Sequence, residues 1–554
     1  MPRVIENIFI AGSLAPLATF VLLLLAWHAV LWNPGVRARA TSSLRMFGPL
    51  AACAAAGIAL IAFAGFGAWY SRHPGFASEV EPLVTTISGI FHHGGPLYHA
   101  PDAAERYSVL YGPSVYLATG LSFLMFGLSI TAAKTGALLA LLGSLVFLHL
   151  ALRRHMIDAT AFVLTAAAAM LLWICGTSAF VVRPDAYLLF GVSVGLWSAG
   201  LHRRSTAVIG TALAFGFVVN LKIHAGLYML PVLAMLDARH GWRSTLAALG
   251  LGTAAAMAPF AFHPGISPNR YLEWVFMSTH HGLQMNELPI LLRRGLLYAI
   301  PVLVPLAAGA RFPDSSSLRR NLGLAWLVGN VAVIILALKP GAGLVHLLPL
   351  VPINLVSGAM LWIDRRHTAP NLKAFSPDWR LGFTAAFLLT VLLSGSVNGY
   401  RSGRQAAALM ADAGAVDADI GNILAGHPNR TIGMGYGGEG LHFRHTYQRP
   451  LLAFAEQPVL IDAVAQMDAH LSHLEISAST LATFDTGLIE IWLIPRDQTP
   501  FAKCNWYSPH EEIFSPEVRE HFRSHYSLEE TFDLWTWRGA PVAGHSATGT
   551  HLAP

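Results

Sequence analysis

Glu79 and Glu81 lie two residues apart in FASEVEPLVTTISGIFHHGGPLYHAPDAAERYSVLYGP, residues 76–113, a polar stretch in a chain that otherwise reads as lipid-soluble. A carboxylate so placed can take a proton from an incoming hydroxyl, which is general-base catalysis. Residues at i and i+2 cannot share one side of a helix, so one glutamate serves the site and the other supports it or caps the helix EPLVTTISGIF; Glu79 is the preferred base and Glu81 the close second. Other ionisable groups recur at the ends of apolar runs: Arg183 and Asp185 in VVRPDAY, Lys222 and His224 in VNLKIHAG, Lys339 and His346 in LALKPGAGLVH. Ionisable groups at membrane depth are costly unless paired or solvated and by default mark a functional site. The plainer alternative pairs Arg183 with Asp185 and lets Lys222 and Lys339 snorkel to the interface. Clustered cations repel one another in low dielectric unless an anion joins them. A lipid phosphate or diphosphate, held by charge-assisted hydrogen bonds, is such an anion.

The elements that must position these groups are membrane helices. Of 554 residues, 54% are hydrophobic and 12% charged, and the mean hydropathy is +0.50, the composition of a polytopic membrane protein. Apolar runs lie near 8–32, 47–69, 133–152, 159–181, 185–201, 205–220, 223–236, 244–262, 290–309, 322–338, 342–362 and 380–396, about twelve crossings. The first is too long for a signal-peptide core and reads as a retained span. The net charge of +5 comes from arginines grouped between runs, at Arg37/Arg39/Arg45, Arg153/Arg154, Arg203/Arg204, Arg239/Arg243, Arg311/Arg319/Arg320 and Arg365/Arg366, so it sets topology and does not point to nucleic acid. Twelve crossings place all of these groups on the cytoplasmic side. A further run, VYLATGLSFLMFGLSI at 115–130, would reverse that parity if it crossed, so it is expected to lie in the outer leaflet. The 70–132 segment, the 263–289 loop and everything after about 397 are then extracytoplasmic.

From about 400 the composition becomes that of a soluble domain, with strand-like TIGMGYG and GLIEIWLIP, helix-like PVLIDAVAQMDAHLSHL and aromatic FDLWTWRG. The fold class expected is therefore a polytopic α-helical membrane protein with about 12 spans plus an outer-leaflet helix, at 1–398, followed by an extracytoplasmic α/β domain at 399–554. Three cysteines, Cys53, Cys175 and Cys504, build neither a disulfide framework nor a thiolate metal site.

In order of motifs the first 360 or so residues resemble the GT-C superfamily of integral-membrane glycosyltransferases. The resemblance rests on the acidic pair Glu79 and Glu81, the GGPLY turn, YGPSVYLATGLSFLMFG, RPDA at 183–186, LKIHAGLYMLP and KPGAGLVHLLPLVP. The family usually carries an aspartate in the acidic motif, where this chain has E-V-E. The resemblance implies transfer of a sugar from a polyprenyl-phosphate donor at the outer face, with a loop acid as base and basic residues on the lipid phosphate.

The combined reading makes Glu79 and Glu81 catalytic and gives the donor phosphate to Arg183, Lys222, Lys339 and His346. Tyr98, Arg106, Tyr111, Asp185, His224, His280 and His281 are the substrate-binding candidates. The partners expected are a polyprenyl-phosphate-linked sugar, a glycan, lipid or protein acceptor, and membrane lipid; the location expected is a bacterial inner membrane. The cofactor is unknown, and a divalent metal on His92, His93, His99, His280 and His281 is not favoured, because adjacent histidines rarely ligate one ion together. GMGYGG at 433–438 formally fits a dinucleotide fingerprint, but no clear helix follows it and it reads as a turn. A lipid or sugar transporter or flippase would spread its ionisable groups through the midplane and often repeat one half of itself. A surface-polysaccharide polymerase or ligase would place its essential residues in a late outer loop. The ionisable groups gather at one face and no repeat is visible, which favours an enzyme over the transporter, and mutation of the 70–113 loop separates the transferase from the polymerase or ligase.

Overall fold

The computed structural model describes residues 16–307, 316–363, 377–438, 441–505, 508–528, 535–537 and 539–541. The beginning of the first apolar run and the basic residues Arg311, Arg365 and Arg366 lie outside the described residues. Helices α1 (Pro16–Trp32) and α2 (Pro34–Arg72) lead to the loop helix α3 (Val80–His92) and to α4 (Pro113–Phe126). The bundle continues with α5 (Ile130–Leu152), α6 (Asp158–Trp173), α7 (Pro184–Ala199), α8 (Arg204–Val219), α9 (Leu230–His240) and α10 (Trp242–Phe262). After the short α11 (Pro268–Met277) come α12 (Leu288–Ala307), α13 (Ser316–Leu336), α14 (Leu350–Ile363) and α15 (Pro377–Leu409).

Among the described residues, six helices are long and apolar enough to cross a bilayer: Pro34–Arg72, Ile130–Leu152, Trp242–Phe262, Met285–Ala307, Gly343–Leu361 and Leu381–Gly426. Five more are apolar but shorter, α4 among them. With 14 residues and a rise of 1.5 Å each, α4 spans about 21 Å, less than the roughly 30 Å of a hydrocarbon core. Several apolar runs are shorter as helices than as sequence because one end unwinds into a 3₁₀ turn: Gly176–Ala179 after α6, Ile223–Met229 before α9 and Gly343–Leu347 before α14. Irregular backbone at membrane depth is tolerated where protein or a cavity surrounds it, and these breaks adjoin Arg183, Lys222, His224, Lys339 and His346.

The two ends of the bundle differ in chemistry. At the end of α7 reached at Gly200, Arg154 donates to the carbonyl of Gly200, Arg239 meets His202 at 2.7 Å and Arg204 meets Ser244 at 2.8 Å. Three of the basic linkers therefore share one end, while Asp185 begins α7 at the other.

Helix α15 runs without a break across the expected boundary at 398/399, and α16 (Ala413–Gly426) follows it. The tail then alternates strands and helices: β1 (Ile432–Met434), α17 (Pro450–Phe454), α18 (Ala463–Leu471), α19 (Ala478–Thr486), β2 (Ile491–Pro495), β3 (Cys504–Asn505), β4 (Ser508–Glu512), α20 (Pro516–His525), β5 (Tyr526–Leu528), β6 (Trp535–Trp537) and β7 (Gly539–Pro541). The order β1-β2-β6 forms a small sheet, parallel at β1–β2 and antiparallel at β2–β6. β2 is buried at every residue and Ile432, Leu452, Ile491 and Leu493 pack into a second, smaller core with α16. The GMGYGG stretch supplies the last two residues of β1, and 435–438 continue it without regular structure.

Candidate functional site

The loop between α2 and α3 is anchored by a residue that the sequence reading passed over. Lys134 of α5 is fully buried, and its ammonium donates to the carbonyls of His73 (2.8 Å) and Gly75, with that of Tyr70 at 3.5 Å. It also lies 4.4 Å from the Tyr70 ring centroid and 5.0 Å from that of Phe76, a cation–π arrangement. The chain thus leaves α2 with its turn fixed on a cation.

The two glutamates have different surroundings. Glu81 is fully buried; its Oε2 accepts from the Tyr70 hydroxyl at 2.5 Å and the Ala77 N–H at 3.2 Å, and its Oε1 accepts from the Val182 N–H at 2.9 Å. Burial pushes its carboxyl above the usual carboxylate range, against the pull of Lys134 and these hydrogen bonds. Through Val182 it fixes the backbone next to Arg183. Glu79 occupies the N-cap position of α3, its side chain making no cap hydrogen bond, and faces the tail. Its carbonyl accepts from Arg449 Nη2 at 3.1 Å, and its charge acts on Tyr436, Tyr447 and Arg449.

The cations converge. Asp185, at the start of α7, is fully buried and receives Lys222 Nζ at 2.9 Å on Oδ1 and Arg183 Nε at 3.3 Å on Oδ2. Two cations meet on one carboxylate, and of this triad Lys222 lines the neighbouring cavity, where Lys339 and Asp468 join it. The His224 and His346 rings stack at 5.1 Å and 21°. The carbonyl of His346 accepts from Tyr228 at 2.7 Å, and its Nδ1 meets the carbonyl of Ala342 at 3.1 Å. His224 Nε2 has no hydrogen-bond partner among the described residues.

Lys222, His224, Lys339 and His346 line a cavity of about 240 Å³ whose walls also include Val80, Leu83, Tyr111, His281 and Asp468, while Arg183 and Asp185 lie behind that wall. The acidic loop therefore supplies Val80 and Leu83 to the wall, while neither Glu79 nor Glu81 lines it. Tyr111 forms part of the wall with Lys222 Nζ 5.5 Å from its ring centroid, and Tyr98 stands behind it, donating to the Tyr111 carbonyl at 2.7 Å. The close of the loop is set by Gly112. Its N–H bonds the Leu221 carbonyl at 3.1 Å, and a Cβ at this position would sit 2.1 Å from the Asn220 carbonyl oxygen, so only glycine allows the loop to dock beside Lys222.

Other expected site residues hold the loop in place. Arg106 Nη1 donates to the Pro101 carbonyl and Nη2 to the Glu475 carbonyl of the tail at 2.8 Å. The backbone of Arg106 also bridges Ile461 in parallel register. His99 Nε2 accepts from the N–H groups of Tyr107 and Ser108 at 3.0 Å each, while Nδ1 meets the Ala100 carbonyl at 2.8 Å. Burial pushes its pKa down to about 4. His281 Nε2 meets the Asp468 carbonyl at 3.1 Å and Ser472 Oγ at 3.0 Å, and burial pushes the ring down to about 4. His280 turns to the Met277 carbonyl at 3.2 Å and is not part of the cavity wall.

Asp468 comes from α18 in the tail and was also missed by the sequence reading. Burial and the charge of Asp462 push its carboxyl up to about 7, opposed by Lys339. Its signal in PVLIDAVAQMDAHLSHL was a second aspartate within an otherwise apolar helix, and nothing in the sequence says that this helix reaches the bundle. Lys134 could have been found by the argument applied to Lys222, a lone lysine in an apolar run; it sits at the very start of its run, where a boundary error hides it.

No family model matches the chain, and no curated protein matches it in sequence. Among solved structures, the chain is similar to ArnT of Cupriavidus metallidurans bound to undecaprenyl phosphate, at a TM-score of 0.50 and 15% identity over 82% of this chain and 94% of that one. The apo state of the same protein aligns at 0.50 and 14% identity, over 91% of this chain and 98% of that one. The apo oligosaccharyltransferase of Archaeoglobus fulgidus aligns more loosely, with a TM-score of 0.44 and 10% identity over 88% and 73% of the two chains. The chain is an integral membrane protein that shares the fold of these ArnT structures.

Proposed function

We propose that the chain is a glycosyltransferase that moves a sugar from a polyprenyl-phosphate donor to an acceptor hydroxyl at the extracytoplasmic face of the membrane. The observation that carries this reading is the convergence of cations on the cavity: Lys222 and Lys339 line its wall opposite the single carboxyl of Asp468, and Arg183 stands behind Lys222 on the same Asp185 carboxylate. A buried group of this sign stabilises an anionic leaving group without reorganising as the charge develops. The apolar walls suit a lipid tail or its first isoprene units, and undecaprenyl phosphate is the ligand of the ArnT structure with the same fold.

In the reaction, the acceptor oxygen bonds to the anomeric carbon, the bond from that carbon to the phosphate oxygen breaks, and the phosphate leaves into the field of Arg183, Lys222 and Lys339. The hydroxyl proton passes to a carboxylate. Glu79 is the proposed acceptor of that proton, and Glu81, with its hydrogen bonds already filled by Tyr70, Ala77 and Val182, positions the loop. A second reading of the proton acceptor is favoured by one observation: Asp468 is a carboxyl in the cavity wall, and its pKa of about 7 suits a base at neutral pH.

Transfer from polyprenyl-phosphate sugars in membranes tests both. Glu79→Gln is expected to lower kcat by about 10²-fold or more with the fold intact. Transfer that survives Glu79→Gln and falls by that much in Asp468→Asn assigns the base to the tail, and transfer that survives both removes the mechanism.

A further inference from the structure

Far along the tail, three side chains converge on one point. Helix α20 presents His521 and His525 at i and i+4, on one face, and α19 presents Asp485 opposite them. Asp485 Oδ1 lies 2.7 Å from His521 Nε2 and 3.0 Å from His525 Nε2, and one ligand atom from each residue falls within 4.8 Å of the other two.

The hydrogen bonds around His525 set its tautomer. The Ser524 hydroxyl donates to the His521 carbonyl at 2.8 Å, and His525 Nδ1 meets that same carbonyl at 2.9 Å. A carbonyl only accepts, so Nδ1 donates to it, and the Ser524 oxygen, whose own proton goes to the carbonyl, lies 3.0 Å from Nδ1 as a second acceptor. In a neutral imidazole Nε2 is then a lone pair, and here it points at a carboxylate oxygen. Two lone pairs at that distance repel unless a proton or a cation lies between them. A backbone carbonyl holding the remote ring nitrogen is also the usual means by which a protein orients a metal-bound histidine.

We propose that Asp485, His521 and His525 form a binding site for a divalent transition-metal ion of the zinc class, joining α19 to α20. Two imidazoles and a carboxylate suit such an ion, with a fourth position left to water. Ligand atoms in a tetrahedral zinc site stand about 3.3 Å apart; the pairs at 2.7 and 3.0 Å open to that by a small swing of Asp485, which is about half exposed at 47%. The ion would fasten the edge of the aromatic cluster of Phe484, Trp492, Phe501, Phe522 and Tyr526. The site lies apart from the cavity and none of its residues lines that wall.

The test uses the full chain in detergent, purified without a polyhistidine tag, stripped with chelator, and titrated with Zn²⁺ and with Co²⁺. The expected result is one strongly bound equivalent, a Co²⁺ absorption spectrum of a four- or five-coordinate site, and a loss of affinity of about tenfold or more in both His525→Ala and Asp485→Asn. Wild-type protein that takes up no ion, or an equivalent that survives in both variants unchanged, overturns the site. Because the wild-type titration alone can fail, the proposal stands or falls even if a variant does not fold. A proton in place of the ion gives the first of these negative results.

Discussion

Glu81 and Glu79 sit two residues apart at the start of one helix, yet one is locked by three hydrogen bonds and the other faces Arg449 and two tyrosines. Glu81→Gln replaces an acceptor oxygen by an amide that cannot accept. One of the buried donors, from Tyr70, Ala77 or Val182, is then unmatched, which costs about 1–3 kcal/mol. The expected outcome in thermal unfolding is a lower Tm for Glu81→Gln than for wild type. Asp468 has a pH signature of its own. Its carboxyl is raised in the folded chain from 3.8 to about 7, so between those values the folded state binds the extra proton and stability falls as pH rises. Above about 7 that contribution is flat, and Asp468→Asn removes the slope in denaturation curves taken from pH 4 to 7. The sequence made the cations around Asp185 legible because a charge in an apolar run is conspicuous. It hid Asp468 because an aspartate in a soluble helix is ordinary, and only the docking of the tail brings it to the cavity.

The elements that carry the site are the ends of helices. Apolar runs at 159–181, 223–236 and 342–362 read as spans, and each holds a 3₁₀ segment at one end; hydropathy sees composition and not backbone, so the breaks were invisible. What the charges did indicate was the depth at which they occur. The loop at residues 93–112 is a second such element, organised around His99, whose Nε2 accepts from two backbone N–H groups. A ring whose pKa falls from 6.5 to about 4 on folding binds its proton preferentially in the unfolded chain. Its contribution is present above about 6.5 and is lost as pH falls toward 4. Hydrogen exchange of residues 97–112 is expected to quicken between pH 6.5 and 4 beyond the intrinsic rate, and the change is expected to vanish in His99→Gln. The loop also bonds to the 263–289 segment through Trp274, whose indole donates to the His99 carbonyl at 2.9 Å.

At the scale of the whole molecule, the tail is fastened to the membrane part through the same loop that carries the glutamates. Arg449 pairs with Asp462 at 2.5 Å and donates to the Glu79 carbonyl. Ser477 and Thr480 donate to the carbonyls of Ala103 and Ala104 at 2.9 and 2.7 Å. Arg449→Met leaves Asp462 charged and buried without its partner, a loss of roughly 3–5 kcal/mol, and is expected to free the tail to limited proteolysis and to lower transfer even though Arg449 touches no cavity wall. The arrangement makes the tail part of the site, a coupling that the change of composition near residue 400 could not reveal. The central claim is that the cavity takes a lipid phosphate between its cations. It is tested most directly by the Kd of the purified chain for undecaprenyl phosphate in nanodiscs, wild type against Lys222→Met. The account predicts saturable binding that weakens by at least about tenfold in the variant, the loss of a charged hydrogen bond; equal affinity in the two, or no binding by either, contradicts it.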